Sequence, residues 1–405
     1  MAAIFPLVAL LAAITSDTAD GPAARLHTRA LVVDTHADTP QRMVFQGFDL
    51  GSRDSRGHVD IPRMREGGLD AVFFSIWVPS RITGAEAVRR ALRQIDAVRE
   101  QVRRHPNDLA LVTTASAIRA AVGQGKIAVL MGMEGGHMID DDLGLLRLYA
   151  ELGVRYLTLT HFKNNNWADS STDKPAHDGL TAVGRDVVRE LNRLGVLVDI
   201  SHVADKTFYD ALAATKAPVI ASHSSCRALC DHPRNMSDEM LRALARNDGV
   251  VQINYEITFL SQQARSAKRD RGKSVELDDA ELERLCGEDE ACQILEGERR
   301  DRDAMTSGRL PRVDWEEIVD HIDHAVRVAG VDHVGLGSDF DGASMPFGME
   351  DCSHLPRLTT ALLERGYSEP DVEKILGGNL LRVLERAETV ARQLQQEPAA
   401  PAGAK

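Results

Sequence analysis

Short apolar runs rich in Val, Ile and Leu recur along the chain, and longer segments with the apolar spacing of helices separate them. The runs are continuous rather than alternating, as expected of parallel strands that are buried on both faces. Eight of them predict β-strands: Leu31–Asp34, Leu69–Ile76, Ile127–Met133, Tyr156–Thr160, Val196–Ile200, Val219–Ser222, Val250–Asn254 and Val334–Gly337. The clearest amphipathic helices are predicted at Ala85–Arg104, Asp140–Leu152, Val183–Leu194 and Asp314–Val328.

Strands that alternate with helices predict an α/β protein, and eight of them favour a (β/α)8 barrel of the TIM type. An open, doubly wound sheet is the alternative, but no glycine-rich nucleotide-binding sequence follows the first strand. Residues 262–312, between the seventh and eighth predicted strands, are densely charged and predict a partly helical insertion near the barrel mouth. We therefore expect one barrel domain over residues 25–395 and a disordered tail over residues 396–405.

Composition and charge narrow the class of protein. The chain has 405 residues, of which 43% are hydrophobic and 27% charged, and this is typical of a globular protein with a sizeable core. Its 48 Lys and Arg against 61 Asp and Glu give a net charge of −13. Such an acidic balance argues against nucleic acid as a partner.

The start of the chain has the character of a targeting segment. Residues 2–16 carry no charge and are mostly apolar, although no Lys or Arg precedes them. This stretch is too short for a transmembrane span but suits the core of a signal peptide. We expect residues 1–20 to be a signal peptide and the protein to be exported, to the periplasm or outside the cell, with a cytoplasmic location as the alternative. No transmembrane span is expected elsewhere.

The five cysteines are too few, and odd in number, for a disulfide framework. Cys286 and Cys292 lie six residues apart, so on an unbroken helix they would point to different faces. Only a break at Gly287 would bring them within disulfide geometry. An exported protein could form that bond, but the sequence does not require it.

Chemically active side chains gather at the carboxyl ends of the predicted strands. In chain order they are His36 and Asp38, Glu134, His161, His202, His223, and Asp339 with Asp341 behind it. A barrel brings all of its strand ends to one rim, where barrel enzymes carry their active sites. We therefore expect these imidazoles and carboxylates to converge.

A set of histidines and carboxylates suits zinc, with manganese or cobalt as substitutes. One catalytic zinc needs only three protein ligands, and more candidates than that converge here, so two metal ions that share a carboxylate fit better. His36 and Asp38 would hold one zinc, His202 and His223 would hold the other, and Glu134 would bridge them.

Other polar residues near the strand ends admit plainer interpretations. Asp34 could simply accept hydrogen bonds from backbone amides, and we leave it out of the site. Asp199 has two equally plausible roles: it could orient a ligand imidazole, or it could be an ordinary buried hydrogen-bond acceptor. His137 is expected to be structural. Four further histidines are expected in surface loops: His58, His105, His177 and His354.

Seven segments carry a resemblance to a known family. They are Asp34-Thr-His-Ala-Asp38, Met133-Glu-Gly-Gly-His137, Leu157-Thr-Leu-Thr-His161, Asp199-Ile-Ser-His202, Ser222-His-Ser-Ser225, Arg234-Asn235 and Gly337-Ser-Asp-Phe-Asp-Gly342. In this order they resemble the membrane dipeptidase (renal dipeptidase) family, which comprises zinc peptidases on an amidohydrolase-type barrel. The resemblance extends over residues 28–390.

The resemblance implies a role for each residue. Five look like the ligands of two Zn2+ ions per chain: His36, Asp38, Glu134, His202 and His223. His161 corresponds to the histidine that binds substrate and stabilises the oxyanion, and Arg234 to the arginine that receives the substrate carboxylate. Asp339 corresponds to the catalytic acid and base, which also contacts the substrate. A substrate-side tyrosine of animal members falls at Phe259, and we expect the nearby Tyr255 to replace it.

The implied activity is a dinuclear zinc dipeptidase that acts on dipeptides with a free C-terminal carboxylate, by attack of a metal-bridging hydroxide. Tolerance of a C-terminal D-residue and a homodimeric state are family traits that it could share. The alternative is a related metal-dependent amidohydrolase, such as an N-acyl-amino-acid deacylase or a lactonase. A metal-storing or peptide-binding protein without catalysis is disfavoured, because each catalytic position holds a competent residue.

Overall fold

The computed structural model describes residues 21–272, 281–282 and 284–396. The predicted signal peptide lies outside the described residues, and so does the predicted tail apart from Gln396. Among the helices that the structure describes, none has both the length and the low polarity that crossing a membrane requires.

Parallel strands form the centre of the molecule. In chain order they are β1 Val33–Ala37, β2 Ala71–Trp77, β3 Leu109–Leu111, β4 Ile127–Glu134, β5 Val154–Thr158, β6 Leu197–Asp199, β7 Ile220–Ala221, β8 Val250–Ile253 and β9 Val334–Leu336. Eight of them follow one another in the order β1-β2-β4-β5-β6-β7-β8-β9, and each neighbouring pair is parallel. A parallel bridge between Ala37 and Phe340 then brings β1 beside the segment that follows β9. The predicted (β/α)8 barrel is confirmed.

Helices lie before the first strand, between the strands and after the last one. Their bounds are Pro22–Arg29, Thr39–Phe45, Ile61–Glu66, Gly84–Arg104, Ala115–Gly123, Leu143–Leu152, Ala182–Leu194, Asp205–Ala214, Asp238–Arg246, Ile257–Leu260, Gln262–Gly272, Glu290–Thr306, Glu316–Ala329, Pro356–Glu364, Glu369–Glu373 and Asn379–Gln396. The four helices predicted from apolar spacing are all present. Two of them end at Gly153 and Gly195, whose left-handed backbones (φ +114° and +70°) suit glycine.

Each barrel strand differs from its predicted bounds by no more than three residues at either end, and β1 differs most. β1 begins later than predicted and continues through His36 to Ala37, because its pairing with β2 extends past the apolar run to Ala37 and Phe74. β3 was not predicted. It has three residues, too few for a recognisable run, and it pairs with β4 off the barrel path.

The amino end of the barrel is packed by the last helix. Leu380 and Leu384 of that helix belong to the same buried cluster as Phe73 and Tyr156 from the barrel strands. Tyr156 fits there because its strand neighbour is Gly132, where an added Cβ would lie 1.8 Å from the tyrosine ring. The barrel interior is therefore filled from this end up to the rim where the strands finish.

The charged insertion contains two helices, Gln262–Gly272 and Glu290–Thr306. Cys286, which precedes the second helix, forms a disulfide with Cys292, which lies within it. The chain turns at Gly287, whose φ is +57°, so the break that pairing of these cysteines required is present.

Candidate active site

The strand register places four residues in one row across the barrel. Trp77 of β2 pairs with Glu134 of β4, Glu134 with Thr158 of β5, and Thr158 with Asp199 of β6. Each of these residues is the last of its strand. Side chains at and just beyond these ends therefore share one level at the carboxyl rim of the barrel.

Glu134 lies at the centre of the predicted ligands. Its Oε1 is 2.8 Å from Nε2 of His202, 3.2 Å from Nε2 of His223 and 3.7 Å from Nε2 of His161. Its Oε2 is 3.5 Å from Nε2 of His36. The two oxygens of one carboxylate therefore face imidazoles from different sides of the rim.

The other carboxylates gather around His36. Its Nε2 lies 3.6 Å from Oδ1 of Asp38 and 3.8 Å from Oδ1 of Asp339. Three overlapping triads among the described residues have ligand atoms close enough to hold a metal ion: His36, Glu134 and His223; Glu134, His161 and His202; and His36, Asp38 and Asp339. The structure thus brings all five predicted ligands together, with His161 and Asp339 at the same centre.

Two ligand imidazoles are oriented by partners that the sequence did not reveal. Nδ1 of His36 is 2.8 Å from the Tyr156 hydroxyl, and Nδ1 of His223 is 2.8 Å from the Ser222 hydroxyl. The Ser222 hydroxyl donates to Oδ2 of Asp199 at 2.6 Å. It can therefore accept the proton of Nδ1, which leaves Nε2 of His223 free as a ligand. Asp199 thus acts on His223 through Ser222 rather than on His202.

The charges and protonation of the cluster fit bound cations. Burial, together with the charges of Glu134 and Asp339, raises the pKa of Asp38 to about 8. Burial lowers the pKa of His202 and of His223, so both imidazoles are neutral, as metal ligands must be. Oδ1 of Asp38 has no hydrogen-bond partner among the described residues although it is buried. A metal ion would partner this oxygen and relieve the crowding of negative charge.

Arg234 is a buried cation beside the cluster. The residue is only 3% exposed, and its Nη2 donates to the backbone oxygen of His223 at 3.2 Å. Nε and Nη1 are buried and have no partner within the part of the chain that the structure describes. Burial lowers the pKa of Arg234 to about 10, so it remains charged at neutral pH. Two free donors on a buried guanidinium suit an anionic ligand group.

Asp339 lies where the cluster opens to solvent. Its side chain is 14% exposed, more than those of the neighbouring ligands, and Oδ2 accepts from the Asn254 amide at 2.9 Å. It borders an open cavity of about 300 Å³, which is also lined by Phe162, Phe259, Lys268, Ile294 and Glu298. Part of the cavity lining therefore comes from the charged insertion, which lies at the barrel mouth.

The backbone at the site is held in unusual conformations. His202, Asp339 and Asp341 have left-handed φ angles of +65°, +68° and +61°. Such angles in residues other than glycine cost about 1–3 kcal/mol each and persist only where the surroundings enforce them. Gly342 allows a close approach as well, since an added Cβ would lie 1.7 Å from Oδ2 of Asp38.

Two predicted placements are wrong. Tyr255 does not line the cavity: it has no exposed surface and its ring packs edge-on to Phe340, with centroids 5.8 Å apart. Asn254 points to Asp339, and successive residues of an extended chain point to opposite sides, so Tyr255 faces away while Phe259 lines the cavity. His58 is not on the surface but buried, because its ring hydrogen-bonds to Glu298 of the insertion.

Known proteins resemble the chain over nearly its whole length. The family described as membrane dipeptidase (peptidase family M19) matches residues 22–398. A dipeptidase of Schizosaccharomyces pombe, itself described as uncharacterised, is 37% identical over 391 residues, which cover 91% of this chain and 83% of the yeast protein.

Solved structures agree. The probable dipeptidase PvdM of Pseudomonas aeruginosa is 29% identical with a TM-score of 0.77, over 91% of this chain and 98% of that one. A metallopeptidase from Rhodobacter sphaeroides, solved with a phosphinate mimic of the dipeptide L-Ala-D-Ala, is 28% identical with a TM-score of 0.70, over 88% of this chain and 99% of that one. With its metal-binding triads at the barrel rim, the chain belongs to the membrane dipeptidase family, peptidase family M19, and is a metallo-dipeptidase.

Proposed function

We propose that the protein hydrolyses dipeptides with a free C-terminal carboxylate and uses two zinc ions. His36 and Asp38 would hold one ion, His202 and His223 the other, and Glu134 would serve both. The observation that carries this proposal is that the two oxygens of Glu134 face different ligands: Oε1 lies 2.8 Å from Nε2 of His202, and Oε2 lies 3.5 Å from Nε2 of His36. A shared carboxylate between two sets of ligands is the arrangement that two-metal hydrolases need.

Arg234 supports the choice of substrate. Nε or Nη1, both unpartnered, can act with the second N–H of Nη2 to bind a carboxylate bidentately, which an amide or ester cannot match. The guanidinium is buried beside the metal cluster, so the carboxylate must lie within a short distance of the scissile bond. A dipeptide satisfies this condition, whereas a longer peptide does not.

The protein's own groups complete the chemistry that zinc supplies, which is a polarised carbonyl and a water of lowered pKa. Asp339 takes the proton of the attacking water and passes it to the leaving amine. Burial opposes its ionisation, but His36 and the hydrogen bond from the Asn254 amide lower the pKa of Asp339 below its ordinary value, so it starts as a base. Burial lowers the pKa of His161 to about 4, so this histidine is a neutral donor for the developing oxyanion. Loss of one such donor costs about 3–4 kcal/mol.

Tolerance of a C-terminal D-residue is part of the proposal. The ligand of the Rhodobacter sphaeroides relative mimics L-Ala-D-Ala, and the family resemblance covers the residues of the site. Arg234 would bind the carboxylate, which is common to both enantiomers of the last residue.

The direct test is hydrolysis of L-Ala-D-Ala and L-Ala-L-Ala by protein that is stripped with chelator and then titrated with zinc. We expect activity to return and to reach its maximum at two zinc ions per chain. N-acetyl-L-alanine is the matched control, and it should be a poor substrate. Two bound zinc ions with hydrolysis of the acetylated compound alone would favour the deacylase alternative, and full activity at one zinc per chain would contradict the shared carboxylate.

Arg234→Lys should lower kcat/KM for free dipeptides by about 10- to 100-fold, because a lysine cannot reproduce a charge-assisted, bidentate contact. The measurement is steady-state hydrolysis of L-Ala-L-Ala and of its C-terminal amide by both proteins. The amide should be a poor substrate for the wild type and lose little further in the variant. An equal loss on both substrates would count against a role for Arg234 in carboxylate binding.

We also propose that the protein acts in an oxidising compartment after export. The Cys286–Cys292 disulfide supports this location, because such bonds persist outside the reducing cytosol. Mass spectrometry of protein from cell fractions should find a mature N-terminus beyond the apolar residues 2–16 in the periplasm or the medium. Full-length protein confined to the cytosol would refute the proposal.

A further inference from the structure

The segment that follows Asp339 is tied to the charged insertion. Oδ2 of Asp301 accepts from the Ser344 hydroxyl at 2.7 Å, and Nη2 of Arg302 donates to the backbone oxygen of Met345 at 3.1 Å. Both partners belong to the long insertion helix, Glu290–Thr306. The insertion therefore does more than line the cavity, since it is bonded to the segment that presents Asp339.

A second tie runs through His58. The backbone N–H of Asp341 donates to Nδ1 of His58 at 2.9 Å, and Nε2 of His58 lies 2.8 Å from Oε2 of Glu298. Because Nδ1 accepts a proton, Nε2 must carry one and donate it to Glu298. His58 is 4% exposed and Asp341 is 2% exposed, so the bond between them is shielded from water, whereas the side chain of Glu298 is 15% exposed at the cavity.

The position of this tie matters because of the backbone that it holds. Asp339 and Asp341 both have left-handed φ angles, +68° and +61°, which residues other than glycine rarely adopt. His58 holds Asp341 at two points: Nδ1 of its ring accepts from the backbone N–H of Asp341, and its backbone N–H donates to the side-chain Oδ1 of Asp341 at 2.8 Å. Only the first of these bonds depends on the imidazole. A general acid and base must be held to within a fraction of an ångström to act on the reacting atoms.

We propose that His58 and Glu298 are positioning residues, which link the insertion helix to the 339–342 turn and thereby fix the carboxylate of Asp339. The inference rests on the proposed role of Asp339 as the catalytic acid and base. The charged insertion would then contribute to catalysis through a specific side chain, Glu298, and not only by shaping the cavity at the barrel mouth.

His58→Ala tests the proposal first. We expect kcat for L-Ala-L-Ala to fall by about 10- to 100-fold, as for a misplacement of about 1 Å, with KM close to the wild-type value and two zinc ions retained. His58→Asn should recover part of kcat, because its side-chain oxygen can take the place of Nδ1 and accept from Asp341. The matched control is His105→Ala, which breaks a comparable 2.6 Å pair with Asp49 away from the site and should leave kcat unchanged.

Glu298→Gln completes a double-mutant cycle. If the two residues act in series, the variant that carries both His58→Ala and Glu298→Gln will be no slower than His58→Ala alone. Losses that multiply, or variants that melt earlier but keep wild-type kcat, would overturn the proposal. Asp339→Asn separates the two claims. If that variant turns over normally, the proposed role of Asp339 is wrong. If it is inactive while His58→Ala is fully active, only the positioning role of His58 and Glu298 is wrong.

Discussion

Asp339→Asn is expected to lower kcat by about 10²- to 10⁴-fold while both metal ions stay bound. An amide has almost the shape of the carboxylate and can still accept from Asn254, whose amide lies 2.9 Å from Oδ2. It cannot take a proton from water, so the step proposed for Asp339 would be lost. The measurements are steady-state turnover of L-Ala-L-Ala and the metal content of the purified variant.

Metal content is the decisive half of this experiment, because Oδ1 of Asp339 lies 3.8 Å from Nε2 of His36 within one of the metal-binding triads. Loss of zinc in the variant would make Asp339 a ligand and overturn its assignment as acid and base. Asp178→Asn is a matched control. Asp178 has the same left-handed backbone, with φ +54°, but is exposed in a surface loop, so its replacement should change neither turnover nor metal content.

Glu134→Gln should empty both metal positions together and abolish turnover at stoichiometric zinc. Both oxygens of Glu134 face imidazoles, at 2.8 Å from His202 and 3.5 Å from His36. In either orientation of the glutamine amide, its nitrogen replaces one of these two oxygens, and an amide nitrogen cannot serve as a metal ligand there. The substitution also removes the negative charge that would hold the two proposed cations close together. Metal analysis after dialysis should find far less than two zinc ions per chain, and a variant that keeps both would refute the bridge.

Ser75→Ala provides a graded comparison for this variant. Ser75 donates to Oε2 of Glu134 at 3.1 Å and has no other place in the site. Its loss should weaken zinc binding by about 10- to 100-fold, as for other partners of metal ligands, without emptying the site at saturating zinc.

The candidate site could be located from sequence because its chemistry follows directly after recognisable strands. His36, Glu134 and His202 lie at or just beyond apolar runs, and the barrel brings all such positions to one rim whatever lies between them. Only local patterns were needed for that step. The exact bounds of β1 were missed because its pairing with β2, rather than its own composition, decides where it ends.

Contacts between distant side chains could not be predicted in this way. His36 meets the Tyr156 hydroxyl across 120 residues, and His58 meets Glu298 across 240 residues. Neither pair leaves a signal in the local pattern. Tyr255 shows a different difficulty, since a residue's type and neighbourhood can suit a role while its side chain points to the wrong side of the strand end.

The closure of the barrel at Ala37 and Phe340 sets the order of events during synthesis. The ribosome makes β1 and its neighbour β2 early, yet the partner on the other side of β1, the segment that follows β9, is not available until most of the chain has been translated. The residues of the active centre extend from His36 to Asp339, so a nascent chain that stops short of the last strand has neither a complete barrel nor a complete centre. Folding dominated by such distant contacts is slow and comes late. The metal centre can therefore form only after the last strand is in place, and a truncated product would be an inactive chain and not a weaker dipeptidase.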